Sequence, residues 1–180
     1  SSDCAFNCCR RLKEIRFNDD IEELGCVWTS DSDYMTTFEI PASVKKLDTR
    51  SLGFSKFSEI KLNENLKEIG KEAFVSCYNL KEITVPKDVE IIGENAFGYD
   101  VIISLDGYSL KKVDDFVIKG YPGSLAETYA KQHGFKFVDV TIKDISGLLT
   151  EGIKDTAYTG KNVTFNLVVK DGGTILRETT

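Results

Sequence analysis

The chain has 180 residues, enough for one ordinary domain or for one domain and part of another. Its 29 acidic and 23 basic residues leave a net charge of −6, and this argues against a nucleic-acid or anionic-membrane surface, which needs a concentrated basic patch. The apolar fraction of 41% can build a core, but no apolar run approaches the roughly 20 residues that span a bilayer. We therefore predict no nucleic-acid partner and no membrane insertion.

The chain repeats itself every 22 to 23 residues up to about residue 103. Apolar residues at i and i+2 predict a short strand with both side chains on one face. One such coil cannot bury its apolar side alone, so we expect the coils to stack around a shared core. The four apolar columns are Ile15, Phe38, Ile60, Ile83; Phe17, Ile40, Leu62, Val85; Ile21, Val44, Leu66, Val89; and Leu24, Leu47, Ile69, Ile92.

Three further sequence features recur in the coils. Ala-Phe stands at 5–6, 73–74 and 96–97, with Ser51-Leu52 at the equivalent place, and we interpret it as a buried filler. Proline ends the strand at 41 and 86 because it cannot donate a ladder hydrogen bond. Gly25, Gly70 and Gly93 follow the fourth column, with Asp48 once in the same slot, and their flexible backbone predicts a corner there.

The second coil departs from this pattern, since Trp28-Thr29 replaces Ala-Phe and TSDSDYMTT follows. Two arrangements fit: Trp28 fills the aromatic slot after a one-residue slip, or the loop bulges outward.

The five cysteines are an odd number, and the chain is too long and too apolar to need a disulfide framework. Cys9 and Cys77 occupy equivalent positions three coils apart, on the order of 14 Å, too far for a disulfide, and we interpret both as core residues. Cys4, Cys8 and Cys26 lie in the first coils, where a Cys4–Cys26 bond is one option.

The segment at about 120–140 is predicted to cap the open end of the stack. Ser124 and Glu127 form a capping-box pattern that opens a helix from about Leu125 to His133, and Gly134 closes it. Leu125, Ala126, Tyr129 and Ala130 would form its buried face, and Phe135 and Phe137 would continue as a strand that pairs with the last coil. Residues 104–119 link the repeats to this cap, with a strand near 116–118.

Residues 141–180 differ in character, with alternation around Phe165, Leu167 and Val169 and a hairpin signal at Asp171-Gly172-Gly173. Forty residues rarely form an independent core, so we expect a partial β module, similar to Ig-like modules, or a linker. The predicted domains are thus 1–140, including the cap, and 141–180.

The coils resemble the BspA-type, or treponemal-type, leucine-rich repeats. Their pattern is Ala-Phe-x-x-Cys-x-x-Leu-x-x-Ile-x-Ile-Pro-x-x-Val-x-x-Ile-Gly, which Ala73 to Gly93 matches best. The resemblance implies a mainly β fold with some α: a leucine-rich-repeat solenoid of about four to five coils, its helix-and-strand cap, and the start of a β-sandwich-like module. It also implies a bacterial cell-surface or secreted recognition and adhesion protein, whose protein or glycan partners include host extracellular-matrix proteins.

The outward residues of the first strands form polar ladders. Alternating signs such as Glu23, Lys46 and Glu68 on the second strands would hold the coils in register. The same surface is flat and repetitive, as in repeat proteins that bind partners. The candidate binding residues on this face and its rim are Glu14, Arg16, Trp28, Tyr34, Thr37, Glu39, Glu59, Lys61, Glu82 and Thr84.

Residues that could carry catalysis or hold a metal are sparse. His133 is the single histidine and falls in the last turn of the cap helix, where a partial positive charge suits the helix dipole. Asn18-Asp19-Asp20 and Asp31-Ser32-Asp33 lack the ligand number of a calcium loop. We therefore predict that the chain is not an enzyme and that it binds no metal and no cofactor. The alternative to a recognition module is a passive spacer that presents a neighbouring domain.

Overall fold

The computed structural model describes residue 6 and the ranges 9–27, 34–105 and 107–141, with the backbone of strands at 150–151, 167–171 and 174–179. The chain divides into two compact units, Ser1–Thr141 and Ile142–Thr180. The first unit is a solenoid of short parallel strands closed by one helix. Its elements are β1 (Glu23–Leu24), β2 (Thr37–Glu39), β3 (Lys46–Leu47), β4 (Glu59–Lys61), β5 (Glu68–Ile69), β6 (Glu82–Thr84), β7 (Ile91–Ile92), β8 (Tyr99–Ser104), β9 (Gly107–Lys112), β10 (Val117–Gly120), α1 (Leu125–His133) and β11 (Lys136–Asp139).

One side of the solenoid is a continuous parallel sheet with the strand order β1-β3-β5-β7. Its register pairs Leu24 with Leu47, Leu47 with Ile69, and Ile69 with Ile92, so the fourth apolar column lies in one line. The side chains of Leu24, Leu47 and Ile69 are at most 2% exposed. The predicted stacking of equivalent residues in a shared core is confirmed on this side.

The opposite side, which we call the ladder face, carries the first strand of successive coils. It consists of two separate sheets, β2-β4 and β6-β10-β11. Parallel register aligns Phe38 with Ile60, and Ile83 with Ile118. Ile15 is half-buried and packs against the same core without belonging to a strand. The first apolar column is thus confirmed as core, but its ladder is interrupted.

The Ala-Phe pairs fill the interior as predicted. Ala73 and Ala96 are fully buried, and the rings of Phe74 and Phe97 stack with their centroids 5.4 Å apart. Leu52, the substitute for phenylalanine in an intermediate coil, is also fully buried. A small residue next to a ring lets neighbouring coils approach closely while the ring fills the centre.

In the second coil, the aromatic slot belongs to Val27. The N–H of Leu52 donates to the carbonyl of Ala73, and the N–H of Val27 makes the equivalent bond to Ser51. Val27 is 3% exposed. The predicted slip that places Trp28 in this slot is therefore wrong, because the coil is two residues shorter after Gly25 and brings Val27 into position. Trp28 itself lies outside the described residues.

The repeated glycines allow the backbones of neighbouring coils to approach each other closely. A Cβ at Gly93 would lie 2.4 Å from the backbone nitrogen of Lys71, and one at Gly70 would lie 2.6 Å from the preceding coil's backbone. Neither glycine has a positive φ, so the predicted corner conformation is wrong for them. The positive φ angles at equivalent turn positions belong to Arg50 (57°), Glu72 (53°) and Asn95 (52°).

The cysteines divide into different environments. Cys77 is buried, and its thiol lies 3.2 Å from the Ser55 hydroxyl, its equivalent in the neighbouring coil. Cys9 is also a free thiol, but it is exposed, so the prediction that it is a core residue is wrong. It lies in the first coil, where the described residues pack against one side of the coil only. Cys26 is disulfide-bonded. Cys4 and Cys8 lie outside the described residues, so the Cys4–Cys26 bond stays a prediction.

The cap has the predicted helix, which runs from Leu125 to His133 and ends at Gly134 in the left-handed region with φ 67°. Its capping differs, since the Ser124 hydroxyl is buried without a hydrogen bond and Glu127 accepts from the N–H of Gly123 at 2.7 Å. Ala126, Tyr129 and Ala130 are buried as expected, whereas Leu125 is 38% exposed because it begins the helix at the rim. The predicted pairing of the following strand is confirmed, since β11 pairs with β10.

Between the repeats and the cap the chain forms a β-hairpin that the sequence analysis missed. β8 and β9 pair antiparallel, with Tyr99 opposite Lys112 and Ser104 opposite Gly107. The expected link at 104–119 therefore contains all of β9, and β10 continues the ladder face as the fifth coil. The Asp-Gly dipeptide at 106–107, after the apolar run that starts at Val101, was the available hairpin signal.

The second unit contains an antiparallel sheet with the order β12 (Thr150–Glu151), β13 (Leu167–Asp171), β14 (Thr174–Thr179). Asp171 lies opposite Thr174 in the register of β13 and β14, which confirms the hairpin predicted there. Phe165 lies outside the described residues. Among the described helices, none combines the length and apolar character that crossing a bilayer requires.

Candidate interaction surface

The predicted ladder residues that the structure describes are all solvent-exposed, as outward positions on short strands must be. Thr37 and Glu39 flank buried Phe38 on β2, and Glu59 and Lys61 flank buried Ile60 on β4. Glu82 and Thr84 repeat the arrangement on β6. Glu14 and Arg16 lie in the first coil and bond to each other at 2.8 Å, which lowers the pKa of the Glu14 carboxyl.

Ion pairs between neighbouring coils use many of the other surface charges. On the sheet formed by β1, β3, β5 and β7, Lys46 pairs with Glu23, as the alternating signs predicted. Hydrogen bonding to Glu94 raises the pKa of the Lys71 ammonium and, in return, lowers that of the Glu94 carboxyl. Further pairs between coils include Lys45–Glu22 at 2.6 Å and Lys67–Glu90 at 3.3 Å. These contacts favour one register between coils.

The ladder face is split between β4 and β6. Residues 57–63 and 80–86 are described throughout, and no backbone hydrogen bond joins these two segments. The strands remain neighbours, with Cα atoms within 8 Å. On the opposite side, β5 and β7 stay paired, with Glu68 opposite Ile91. The third and fourth coils are therefore joined along one side and open along the other.

Amide side chains join the third coil to the second, and the equivalent contact is missing where the ladder is split. Asn63 donates to the carbonyl oxygens of Pro41 at 2.7 Å and Val44 at 2.9 Å, which fastens the third coil to the second. The equivalent residue in the fourth coil is Pro86, which has no amide and no N–H to donate. The turn of the fourth coil therefore makes no such bond to the third coil. The fifth coil has Tyr121 at this position and still pairs with the fourth, so the missing amide accompanies the split but does not by itself account for it.

The split forms a cleft with a volume of about 380 Å³. Its base includes buried Ile83, and its walls carry four of the predicted binding residues. Lys61 lies 3.7 Å from Glu59 on one wall, and Lys119 lies 2.6 Å from Glu82 on the other. The cleft is lined by Ser58, Glu59, Ile60, Lys61, Leu62, Glu64, Glu82, Ile83, Thr84, Pro86 and Tyr121.

Tyr121 and Pro86 supply apolar surface to this cleft, and neither is among the predicted binding residues. The register places Lys119 beside Thr84, so Tyr121 is the counterpart of Pro86 one coil later. The signal was present in the sequence, because Val117-Ile118-Lys119 continues the pattern of the first strands after the long hairpin. Recognising that fifth coil would have brought Lys119 and Tyr121 into the ladder.

Tyr34, one of the two predicted rim aromatics, does not line this cleft. Tyr34 is 57% exposed, and the ammonium of Lys13 lies 5.6 Å from its ring centroid. Trp28 lies outside the described residues. The structure thus brings Glu59, Lys61, Glu82 and Thr84 together at one cleft, but does not join Tyr34 to that group.

The titratable groups with clear structural roles lie elsewhere. His133 stacks on Tyr129 with ring centroids 4.1 Å apart, and its Nδ1 lies 2.7 Å from the Tyr99 hydroxyl. Burial lowers the pKa of His133, and burial raises the pKa of the Cys77 thiol to about 11. Among the described residues, no group of three or more His, Cys, Asp or Glu side chains could hold a metal ion.

A family model described as BspA type Leucine rich repeat region matches residues 2–104 in six copies. The chain belongs to this family. The match spans the coils whose core columns and parallel strands are described above. No curated protein and no solved structure matches the chain significantly. BspA-type leucine-rich repeats thus account for the solenoid, whereas the cleft follows from particular residues of this chain.

Proposed function

We propose that this BspA-type chain is a non-catalytic recognition module of a bacterial cell-surface or secreted protein. It binds a protein or glycan partner through the ladder face, and contact centres on the cleft between β4 and β6. The observation that carries the proposal is the convergence of Glu59, Lys61, Glu82 and Thr84 where the ladder is open between β4 and β6.

The chemistry of the cleft supports binding. A volume of about 380 Å³ is of the size that accommodates a sugar unit or one large side chain. Tyr121 offers an aromatic surface of the kind that anchors partners, and the carboxylates and ammonium groups around it offer directional hydrogen bonds. The surface is extended and repetitive, as is typical of repeat proteins that bind other molecules.

A passive spacer is the second candidate, and the ion pairs between coils favour it. Pairs such as Lys71–Glu94 at 2.6 Å use surface charge to join adjacent coils, as a rigid stalk requires. They lie mainly on the side opposite the ladder face, whereas the cleft residues pair within a strand or across β6 and β10. The spacer therefore explains the closed side of the solenoid and leaves the cleft without a role.

The test is a binding screen of the purified chain on immobilised extracellular-matrix proteins and glycans. We expect at least one surface to bind. Thr84→Arg, which places a long charged side chain in the cleft, should weaken that binding at least about tenfold, since several contacts are blocked at once. Thr37→Arg is the matched control, because Thr37 is an exposed ladder residue that does not line the cleft.

Three outcomes are distinguishable. Weaker binding by Thr84→Arg, with binding by Thr37→Arg unchanged, supports the cleft as the centre of binding. Equal weakening of binding by Thr84→Arg and Thr37→Arg contradicts the cleft as the centre of binding but leaves the ladder face as the binding surface. Failure to bind any immobilised partner favours the spacer.

A further inference from the structure

The cleft between β4 and β6 has an apolar floor. Ile60 and Ile83 are 5% and 2% exposed, and Pro86 beside them is also buried. Leu62 and Tyr121 are half-buried and add apolar surface where the strands end. Methylene groups that lie on such a floor are removed from water, which favours binding. The floor therefore suits the aliphatic stem of a long side chain.

Glutamates outnumber lysines around this floor. Among the described residues that line the cleft, three are glutamates and one, Lys61, is a lysine. Lys119 binds Glu82 at 2.6 Å from the neighbouring strand, and an excess of one negative charge remains when it is included. Like charges across a contact are unfavourable, so this excess favours a cationic ligand and disfavours acidic sugars. The three glutamates are Glu59, Glu64 and Glu82.

Two of these carboxylates are available to a ligand. Glu64 is exposed shortly after β4, and within the described part of the chain its side chain makes no hydrogen bond and no ion pair. Glu59 lies 3.7 Å from Lys61, and both side chains are more than half exposed. An exposed ion pair of this kind contributes little, because water screens it. A ligand can therefore reach both carboxylates without breaking a strong contact.

From these features we propose that the cleft binds an arginine side chain of an extended segment of a protein partner. This inference rests on the proposed function and names the ligand of the same cleft. The arginine stem lies on the apolar floor, and the guanidinium stacks on the Tyr121 ring. The N–H groups of the guanidinium donate to Glu59 and Glu64, because five donors in one plane can reach two carboxylates at once.

Other ligand classes use fewer of these features. A lysine side chain has a long stem, but its ammonium group is a point charge that lacks the planar fork of a guanidinium. A neutral sugar can stack on the Tyr121 ring, but it leaves the excess negative charge without a counter-charge. An acidic sugar would bring a further carboxylate close to Glu59 and Glu64. Arginine is therefore the ligand that uses the floor, the ring and the charge together.

The test titrates short peptides into the isotope-labelled full chain and follows its backbone amide resonances. The probe is acetyl-Gly-Ser-Arg-Ser-Gly-amide, and its matched control has citrulline in place of arginine, which keeps the length of the side chain but removes its charge. We expect the arginine peptide to shift the amides of Lys61, Thr84 and Tyr121 with a dissociation constant on the order of 1 mM, as a contact through one side chain allows. The citrulline peptide should bind at least about tenfold more weakly, and a lysine peptide at least about threefold more weakly.

Three variants of the chain locate the charge effect. Glu64→Gln removes the charge but keeps the shape, and it should weaken binding of the arginine peptide at least about threefold. Glu39→Gln is the matched control, since Glu39 is exposed on β2 and does not line the cleft, and it should leave binding unchanged. Lys61→Gln should strengthen binding, because it removes a cation from the cleft itself. The amide spectrum of each variant shows that it folds.

Four results would overturn the arginine assignment. The arginine peptide binds no better than the citrulline or the lysine peptide; Glu64→Gln weakens its binding no more than Glu39→Gln does; the cleft amides do not shift at peptide concentrations about tenfold above the expected constant; or a neutral sugar such as N-acetylglucosamine shifts the same amides more strongly.

These failures are distinguishable from failure of the proposed function. If an immobilised partner binds and Thr84→Arg weakens that binding, the cleft remains the centre of binding even where the arginine peptide fails, and its ligand is of another class. If the arginine peptide binds in the cleft while no immobilised partner binds, the ligand assignment is supported and the proposed matrix and glycan partners are contradicted.

Discussion

The side-chain amide of Asn63 donates to the carbonyl oxygen of Pro41 at 2.7 Å, across the boundary between the second and third coils. It also donates to Val44 at 2.9 Å and accepts from the N–H of Asn65 at 2.8 Å. One side chain thus satisfies three backbone groups at a turn. The next coil has Pro86 at this position and lacks these bonds, and the ladder is open there. An amide is not required at every boundary, because Tyr121 stands at this position in the fifth coil and β10 still pairs with β6.

Asn63→Ala should lower the free energy of unfolding by about 1–3 kcal/mol, because each lost hydrogen bond contributes about 0.5–1.5 kcal/mol. Asn65→Ala is the control, since its side chain makes a single exposed bond to the Ala42 carbonyl at 2.9 Å, and its effect should stay below about 1 kcal/mol. Urea denaturation measures both. An Asn63→Ala loss no larger than that of Asn65→Ala would show that the amide does not fasten the coils.

Gly93→Ala should destabilise the solenoid by about 1–3 kcal/mol, as overpacking does, because the new Cβ would lie 2.4 Å from the Lys71 nitrogen. Gly25→Ala should change the stability by less than about 0.5 kcal/mol, because nothing lies within 4 Å of its Cβ position. Thermal and chemical unfolding of the two variants compare the same substitution in the same repeat position. Similar losses of stability in Gly93→Ala and Gly25→Ala would contradict close approach between backbones as the role of Gly93.

Phe74→Ala should cost about 3–5 kcal/mol, since it removes a ring that is 2% exposed and stacked on Phe97. Tyr78→Ala provides a comparison with an aromatic residue that is 58% exposed, and a change under about 0.5 kcal/mol is expected. The free energies come from equilibrium denaturation. A loss below about 1 kcal/mol for Phe74→Ala would mean that the position is not core.

His133 should make stability depend on pH between neutral and mildly acidic conditions. Its ordinary pKa is 6.5, and burial lowers this value in the folded chain. The unfolded chain therefore binds the proton first, so stability is fully present above about pH 6.5 and falls as the pH drops through that value towards the lower folded pKa. His133→Phe should keep the stacking on Tyr129 but abolish this slope.

Unfolding free energies at pH 7.5, 6.5 and 5.5 test the His133 prediction. This window lies above the range in which carboxyl groups such as Glu94 and Glu127 titrate, because ion pairing lowers their pKa values. A slope that persists unchanged in His133→Phe would assign the pH dependence to another group.

Several elements were accessible from the sequence because their signals are local. The α1 helix was predicted at its observed bounds from an N-cap serine and a closing glycine, although the Ser124 hydroxyl makes no capping bond. The apolar columns predicted which side chains are buried, since only a regular stack brings residues 22 to 23 apart into one core. The β8–β9 hairpin was not predicted, and the strand expected near 116–118 was not aligned with the ladder columns, because this insertion interrupts the period.

The amino-acid sequence by itself determined the repeat, its core residues and its family, because burial of a recurrent apolar pattern requires stacking. The tertiary structure alone decided where the stack opens and what its surfaces offer. Whether the third and fourth coils pair depends on which side chains meet across them. How the β8–β9 hairpin is held against the coils depends on contacts with Ser76 and Glu72, which lie 25 and 36 residues before their partners in the hairpin. Such contacts join residues that no local pattern relates.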